Sequence, residues 1–438
     1  MKKRIGFILS AVLVPVVLAG CGSSGNADRE ASGSTVPSQA TQAVQTTQAE
    51  EKAEIYYTTW RSNAEKNYPQ VLIDEFRKKY PNITVIAQTN TTTTEEYLND
   101  QKVRFLAGSD IDVTTIRAES RADYVKAGYL KDLTGQPFLK NFTEYALKAV
   151  AVDGKVYSAP SALNIAGAYY NKDILKKFNL SEPRNWDEFL DICEKLKAAG
   201  VTPIANGWKD VWPVSFDIFP FINRLVVDDP DLFAKIDRGE AKYTDPVFIN
   251  TFKTMSDFFK KGYISKDVLG LSDDAAITLF RQQKTAILIQ GEFTMVSLSG
   301  DNAPEFEIGV FRLPYNKPGE ENVVPVTYYS SEAVAASSKH PEAALKFVEY
   351  LSSLEGATIV SKNLGAFSPV IGTPVDFNPL VGLWTPLLEG KTVDFYHSLQ
   401  YSGAQAEMLK GIQLLFQGNI TPEELGKLVQ DAQDKKGS

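Results

Sequence analysis

Residues 54–116 alternate between the two hydrophobic periods that a folded chain can use. Glu54-Ile55-Tyr56-Tyr57-Thr58-Thr59-Trp60 is β-branched and aromatic, the composition of a strand. Residues 68–80 then carry Val71, Leu72, Phe76 and Tyr80 at helical spacing. Ile83-Thr84-Val85-Ile86 reads as a second strand, residues 95–107 as a helix closed by Gly108, and residues 111–116 as a third strand. This βαβαβ order implies a parallel, doubly wound sheet with crossover helices on its faces. Such sheets hold ligands beyond the carboxyl ends of their strands. Residues 59–61 and 115–120 are therefore the places to look for a site.

The amino terminus has a different logic. Lys2, Lys3 and Arg4 precede an apolar run over residues 5–18, too short for a spanning helix of about 20 residues and suited to a signal sequence. The signal, residues 1–20, ends in Leu18-Ala19-Gly20-Cys21, which is similar to a bacterial lipobox. Cleavage is expected between Gly20 and Cys21, because a thiol is what accepts the diacylglyceryl group. The bland alternative is ordinary secretory cleavage with Cys21 incidental. Two ester-linked chains and an N-acyl chain (palmitate-type) exceed what stable anchoring requires. Residues 22–53 are mostly Ser, Thr, Gln, Ala and Gly, with only Val36 and Val44 as larger aliphatics, so they cannot offset their ordering entropy by burial. Residues 21–53 read as a lipidated cysteine and a tether, whose coil dimension is roughly 30 Å.

Composition narrows the functions. Of 438 residues, 43% are apolar and 23% charged, which is ordinary for a globular protein. Length alone suggests about three domains. Removing residues 1–20 takes three basic residues and leaves 43 basic against 54 acidic, a formal charge of −11. That sign argues against a phosphate-tracking surface, and no nucleic-acid partner is expected. Two histidines, His340 and His397, leave little for a His-based metal site, and neither metal nor cofactor is expected. With Cys21 lipidated, Cys193 has no disulfide partner and reads as a small core residue. Asn185-Trp186-Asp187-Glu188 is expected to close a capping box, and Asp245-Pro246, Pro341 and Thr421-Pro422-Glu423-Glu424 mark further helix starts.

An ordered series of segments then carries a resemblance. It runs Asp153-Gly154-Lys155-Val156-Tyr157-Ser158-Ala159-Pro160, Ala168-Tyr169-Tyr170-Asn171-Lys172-Asp173, Pro183-Arg184-Asn185-Trp186-Asp187-Glu188-Phe189 and Gly200-Val201-Thr202-Pro203-Ile204. The entry to the third strand (107–113), a helix expected over 124–133, and the segments 280–293 and 332–351 agree. Over residues 54 to about 430 the chain resembles the extracellular solute-binding proteins of carbohydrate ABC importers, the maltose-binding-protein-like family. The resemblance implies an α/β, two-lobe, type II periplasmic-binding-protein-like fold, each lobe a doubly wound mixed sheet flanked by helices. It implies a multi-strand hinge, with crossings near 162–165, 324–328 and 370–374. Lobe one is then 54–163 plus 327–371, and lobe two 164–326 plus 372–438. The implied function is to bind a sugar, an oligosaccharide, outside the cell and deliver it by hinge closure to the importer's membrane subunits. The implied protein is a monomer, without enzymatic activity, and held to the cell membrane by its lipid.

Sugar recognition needs planar hydrogen-bonding groups for hydroxyls and flat aromatic platforms for the apolar ring face. Thr59, Trp60 and Arg61 follow the first strand, and Glu119 follows the third where the family often has a carboxylate. Asn164 falls where the family often has Asp or Glu, beside the hinge. Trp208 and Trp212 share a Gly-containing loop where the family has a stacking aromatic, with core cover as the alternative. Glu292 and Phe293 occupy a turn where the family usually has Trp. One of the adjacent Tyr328 and Tyr329 faces the cleft, since neighbours on a strand point to opposite sides; Tyr328 is the one assigned.

Two rivals remain at this level. Iron or a cationic solute would use neighbouring tyrosines, and Tyr169-Tyr170 and Tyr328-Tyr329 are such pairs. A surface glycoside hydrolase would need a carboxylate pair about 5–9 Å apart. No nucleophile elbow, metal motif or phosphate loop accompanies either.

Overall fold

The computed structural model describes residues 52–436 except 62–67, 90–93, 109 and 397–400. The signal, Cys21, the tether up to residue 51 and His397 lie outside the described residues, and Ala53, expected at the end of the tether, instead opens the first strand. The described residues form one compact unit.

Lobe one is built on β1 (Ala53–Thr58), β2 (Ile83–Gln88) and β3 (Val113–Arg117). β1 lies between the other two and parallel to both, as the strand–helix alternation requires. β2 buries Ile83 and Val85 while Thr84 and Ile86 face water, the period of a sheet-edge strand with one covered face. β3 is buried along its whole length because it is central. Helix Gln70–Lys79 turns Leu72, Ile73 and Phe76 inward. Phe76 and Tyr57 meet Phe347 of helix Pro341–Leu351 edge-on at centroid distances of 5.0 and 5.2 Å. The helix after β3 spans Ala118–Lys126 rather than 124–133, because Gly128 takes φ +74° just beyond its end and stops it.

Two short strands, β4 (Ala151–Val152) and β5 (Lys155–Val156), form a separate hairpin. β6 (Ala159–Asn171) then runs through both lobes. Its first half pairs antiparallel with β10 (Val324–Val334), from Ala159↔Glu332 to Ile165↔Val326. Its second half, from Ala166, pairs with β8 (Thr285–Gly291) and β9 (Ile308–Phe311). β7 (Thr202–Ala205) adds parallel to β8, and β11 (Thr392–Asp394) parallel to the start of β10. Among the described residues these nine strands form one continuous sheet. The register of β10 against β6 shifts between Thr327 and Ser330 and again between Ser330 and Ser331. Such bulges bend and re-aim a strand, here where the lobes join.

The lobe-two core is aromatic, with Phe189, Phe219, Tyr243, Phe248 and Phe252 buried among helices 186–198, 214–228 and 246–260. Cys193 is buried there as a free thiol. The Asn185 side chain accepts from the Glu188 N–H at 3.0 Å, but Glu188 reaches back to the Arg184 N–H at 2.8 Å. The expected box thus closes one residue early, because Arg184 also offers its guanidinium to that carboxylate. Thr421 and Glu424 close a full box.

Candidate functional site

Where the two long strands cross between lobes, a cavity of about 500 Å³ opens. Its floor is Ala162, Asn164, Ile165 and Ala166 of β6 with Thr327 of β10. One wall comes from the carboxyl ends of β1 and β3 and from β10: Trp60, Arg61, Arg117, Tyr329 and Ser330. The facing wall is Trp212, Ser215, Phe216, Phe293 and Phe395, with Asp273 at the start of helix Asp273–Arg281.

The first wall is a tight assembly of rings and guanidinium groups. Trp60 packs edge-on against Tyr97 at 5.2 Å and Tyr329 at 6.3 Å. The Arg117 guanidinium lies 4.4 Å from the Tyr329 centroid and 5.4 Å from that of Trp60. Arg61 donates to the Ser330 hydroxyl and stands 3.8 Å from Glu332.

The second wall is an aromatic lattice. Trp212 sits 5.9 Å from both Phe216 and Phe293, and Phe216 5.5 Å from Phe395. Trp212 is delivered by a constrained loop. Gly207 lies so close to the Ser272 carbonyl that a Cβ would meet it at 2.2 Å. Val211 adopts φ 64°, ψ −51° while the Trp212 N–H donates to the Asp210 carbonyl at 2.7 Å. That is a γ-turn of the rare, strained kind, costly for a β-branched residue. The Asp210 carboxylate in turn accepts from the Asp273 N–H at 2.8 Å. Burial, helped by Asp274 and Asp210, pushes the Asp273 carboxyl up to about 7, against the opposing Gln290 amide.

Of the residues expected from sequence, Trp60, Arg61, Asn164, Trp212 and Phe293 line this cavity. The others do not. Thr59 is fully buried behind the wall, its hydroxyl accepting from the Arg61 N–H and lying 2.8 Å from the Thr115 hydroxyl oxygen. Glu119 is buried behind Arg117, accepting from its Nε at 2.7 Å and from the Tyr329 hydroxyl at 3.1 Å. Trp208 is a core residue, wedged between Phe259 and Phe416 with its indole N–H donated to buried Asp217 at 2.6 Å. Glu292 is fully buried and accepts from the Ile165 N–H at 2.7 Å and the Asn164 amide at 3.0 Å. It braces the crossing strand, and burial pushes its carboxyl up to about 8. Tyr328 turns away into an apolar cluster with Ala146 and Val150, so Tyr329 is the tyrosine at the cavity. Tyr169 and Tyr170 donate separately, Tyr169 to the Glu292 carbonyl at 3.0 Å and Tyr170 to Glu182 at 2.5 Å, so they form no shared site.

Some lining residues went unread. Arg117 ends β3, within the segment 115–120, but as the neighbour of Glu119 it reads equally as a surface ion pair. Phe216 lies in the first turn of helix Val214–Asp228, and Trp212 stands outside that helix, so helical spacing does not link the two. Asp273 had no signal, because only the fold carries a distant helix start to this wall.

Two lobes on a continuous sheet, exchanging strands beneath a shared cavity, define the class of hinged, type II binding proteins. The chain belongs to the family of bacterial extracellular solute-binding proteins, whose sequence profile matches residues 61–358. A multiple sugar-binding protein of Streptococcus mutans is 25% identical over 386 residues, covering 85% of this chain and 82% of its own. An ABC transporter extracellular-binding protein of Pyrococcus horikoshii is 26% identical over 414 residues, covering 91% and 88%. Among solved structures, a chitin oligosaccharide binding protein superposes with a TM-score of 0.76 at 24% identity, covering 88% of this chain and 98% of its own. The family and these relatives are binding proteins. No helix among the described residues is long and apolar enough to cross a membrane.

Proposed function

We propose that this protein binds an oligosaccharide in the cavity between its lobes and presents it, closed, to the membrane subunits of an ABC importer. The observation that carries this is a cavity of about 500 Å³ walled by aromatic rings from both lobes and floored by the strands that join them. Rings suit the apolar face of a pyranose, and the arginines and Asn164 suit its hydroxyls. Relatives whose names specify multiple sugars and chitin oligosaccharide support the choice of ligand class. Closure turns about residues 162–165, 324–328 and 370–374, between a lobe of 54–163 plus 327–371 and one of 164–326 plus 372–438. The ligand favours closure only through contacts absent when open. Catalysis is no part of the proposal: among the described residues Asp273 is the one carboxylate that lines the cavity, whereas glycoside hydrolysis takes a pair. The mature chain works as a monomer on the outer side of the membrane, tethered through a lipid on Cys21.

Thermal-shift screening against mono- and oligosaccharides tests the ligand class, since a ligand for the native state alone raises Tm. Absence of any shift across neutral and acidic sugars would refute it. Cys21→Ser should move the protein from the membrane to the soluble fraction and abolish lipid labelling; unchanged fractionation and labelling would contradict the anchor.

A further inference from the structure

The lobe-one wall contains two positive charges that a sugar does not obviously need. Both are compensated from behind. Arg61 stands 3.8 Å from Glu332, the two side chains 9% and 2% exposed. Arg117 donates to Glu119 at 2.7 Å, the side chains 8% and 2% exposed. Each arginine lines the cavity and neither glutamate does. Each glutamate is fixed by further donors. Glu332 receives the Thr115 hydroxyl at 2.9 Å, and Glu119 the Tyr329 hydroxyl at 3.1 Å. The Arg61 Nη1 is buried with no hydrogen-bond acceptor.

A guanidinium carries five N–H donors and no acceptor. It therefore meets only acceptor atoms, and these come in two kinds. Hydroxyl, ring and amide oxygens accept without bringing charge. A carboxylate accepts and adds an anion, here beside two buried glutamates already drawing on the same guanidinium groups. Across the cavity stands a further carboxyl, Asp273.

We propose that Arg61 and Arg117, each neutralised by the buried glutamate behind it, form a donor-only wall that selects uncharged sugars over uronic acids. Glu119 is a positioning residue in this wall. It holds Arg117 against the Trp60 and Tyr329 rings and cancels its charge without touching ligand. This inference rests on the carbohydrate function proposed above and names the sugar class of the same site.

Removing the compensating charge tests it. The native chain and Glu119→Gln would be titrated calorimetrically with raffinose, maltotriose and N,N′-diacetylchitobiose, and with trigalacturonate as the acidic probe. The native chain should bind at least one neutral sugar and bind the uronate at least about tenfold more weakly, a ratio worth about 1.4 kcal/mol. Glu119→Gln should shift the neutral-to-acidic preference by about tenfold or more toward the uronate. A merely structural role would weaken both ligands together and leave the ratio unmoved, which would overturn the proposal. Native binding of the uronate as tight as of any neutral sugar would also overturn it. If no sugar binds at all, the carbohydrate function fails and takes this inference with it. If neutral sugars bind but the ratio is fixed, only this inference fails. Should circular dichroism show Glu119→Gln unfolded, Glu332→Gln repeats the test through Arg61.

Discussion

The two walls of the cavity face each other but are stabilised by opposite means. On lobe one, cavity-facing rings alternate with guanidinium groups, and buried carboxylates and hydroxyls hold them in place. On lobe two, Trp212, Phe216, Phe293 and Phe395 pack on one another and continue into the hydrophobic core. The first wall is set by hydrogen-bond direction and the second by shape. The polar wall selects among hydroxyl patterns because an unmatched buried donor is costly. The aromatic wall contributes stacking to any ring that presents an apolar face. A receptor with this division is expected to owe specificity to lobe one and a large share of its affinity to lobe two.

The largest expected effect separates two tryptophans of one loop. Trp208→Ala should destabilise the fold by roughly 3–5 kcal/mol, because it empties a core position and strands Asp217. Chemical denaturation would measure it, and a loss under 1 kcal/mol would place Trp208 outside the core. Trp212→Ala should leave folding nearly intact and cost roughly 1–3 kcal/mol of sugar affinity by calorimetry, as other ring-stacking losses do. Unaltered affinity would remove Trp212 from the binding wall.

Buried carboxyls give a pH signature of the scaffold beneath both walls. Burial pushes Asp217 up to about 7 and Glu292 up to about 8, above their ordinary values of 3.8 and 4.5. Such groups stabilise the fold fully below about pH 4, and this contribution is lost as pH rises through 7 to 8. Stability should therefore fall across that window, and Asp217→Asn should flatten its lower part by roughly 1–2 kcal/mol. Denaturation midpoints at pH 5 and pH 8 for both chains measure this. An equal midpoint difference in the two would contradict it.

The smallest expected effect lies in the adjacent tyrosines. Tyr329→Phe removes one donor to Glu119 and should lower affinity by roughly 0.5–1.5 kcal/mol, whereas Tyr328→Phe should leave affinity unchanged. Equal effects in titration would mean that the strand does not sort the pair.

Much of this was legible in sequence, for reasons that also explain the misses. The strand–helix alternation gave β1 to β3 and their parallel order, since period and crossover length leave little choice. Trp60 and Arg61 follow from the rule that ligands sit beyond strand ends, whereas Trp212 and Phe293 follow from the family resemblance together with the demand for flat rings. Glu119 and Glu292 were expected at ligand and instead brace the residues that line the cavity. Sequence reports that a carboxylate is near a site, not whether a neighbour stands in front of it. Trp208 and Trp212 are chemically alike, and only the strained turn at Val211 sends one inward and the other to the cavity. The sequence carries no register that decides between Tyr328 and Tyr329; the register irregularity in β10 is a tertiary feature.

The most direct test of the central claim is small-angle scattering of the purified chain with and without a saturating sugar found by the thermal screen. If the ligand bridges the polar wall and the aromatic wall, the radius of gyration should fall on binding, and Trp212→Ala at the same sugar concentration should retain more of the open form. An unchanged radius of gyration at proven saturation would contradict a site shared between two closing lobes.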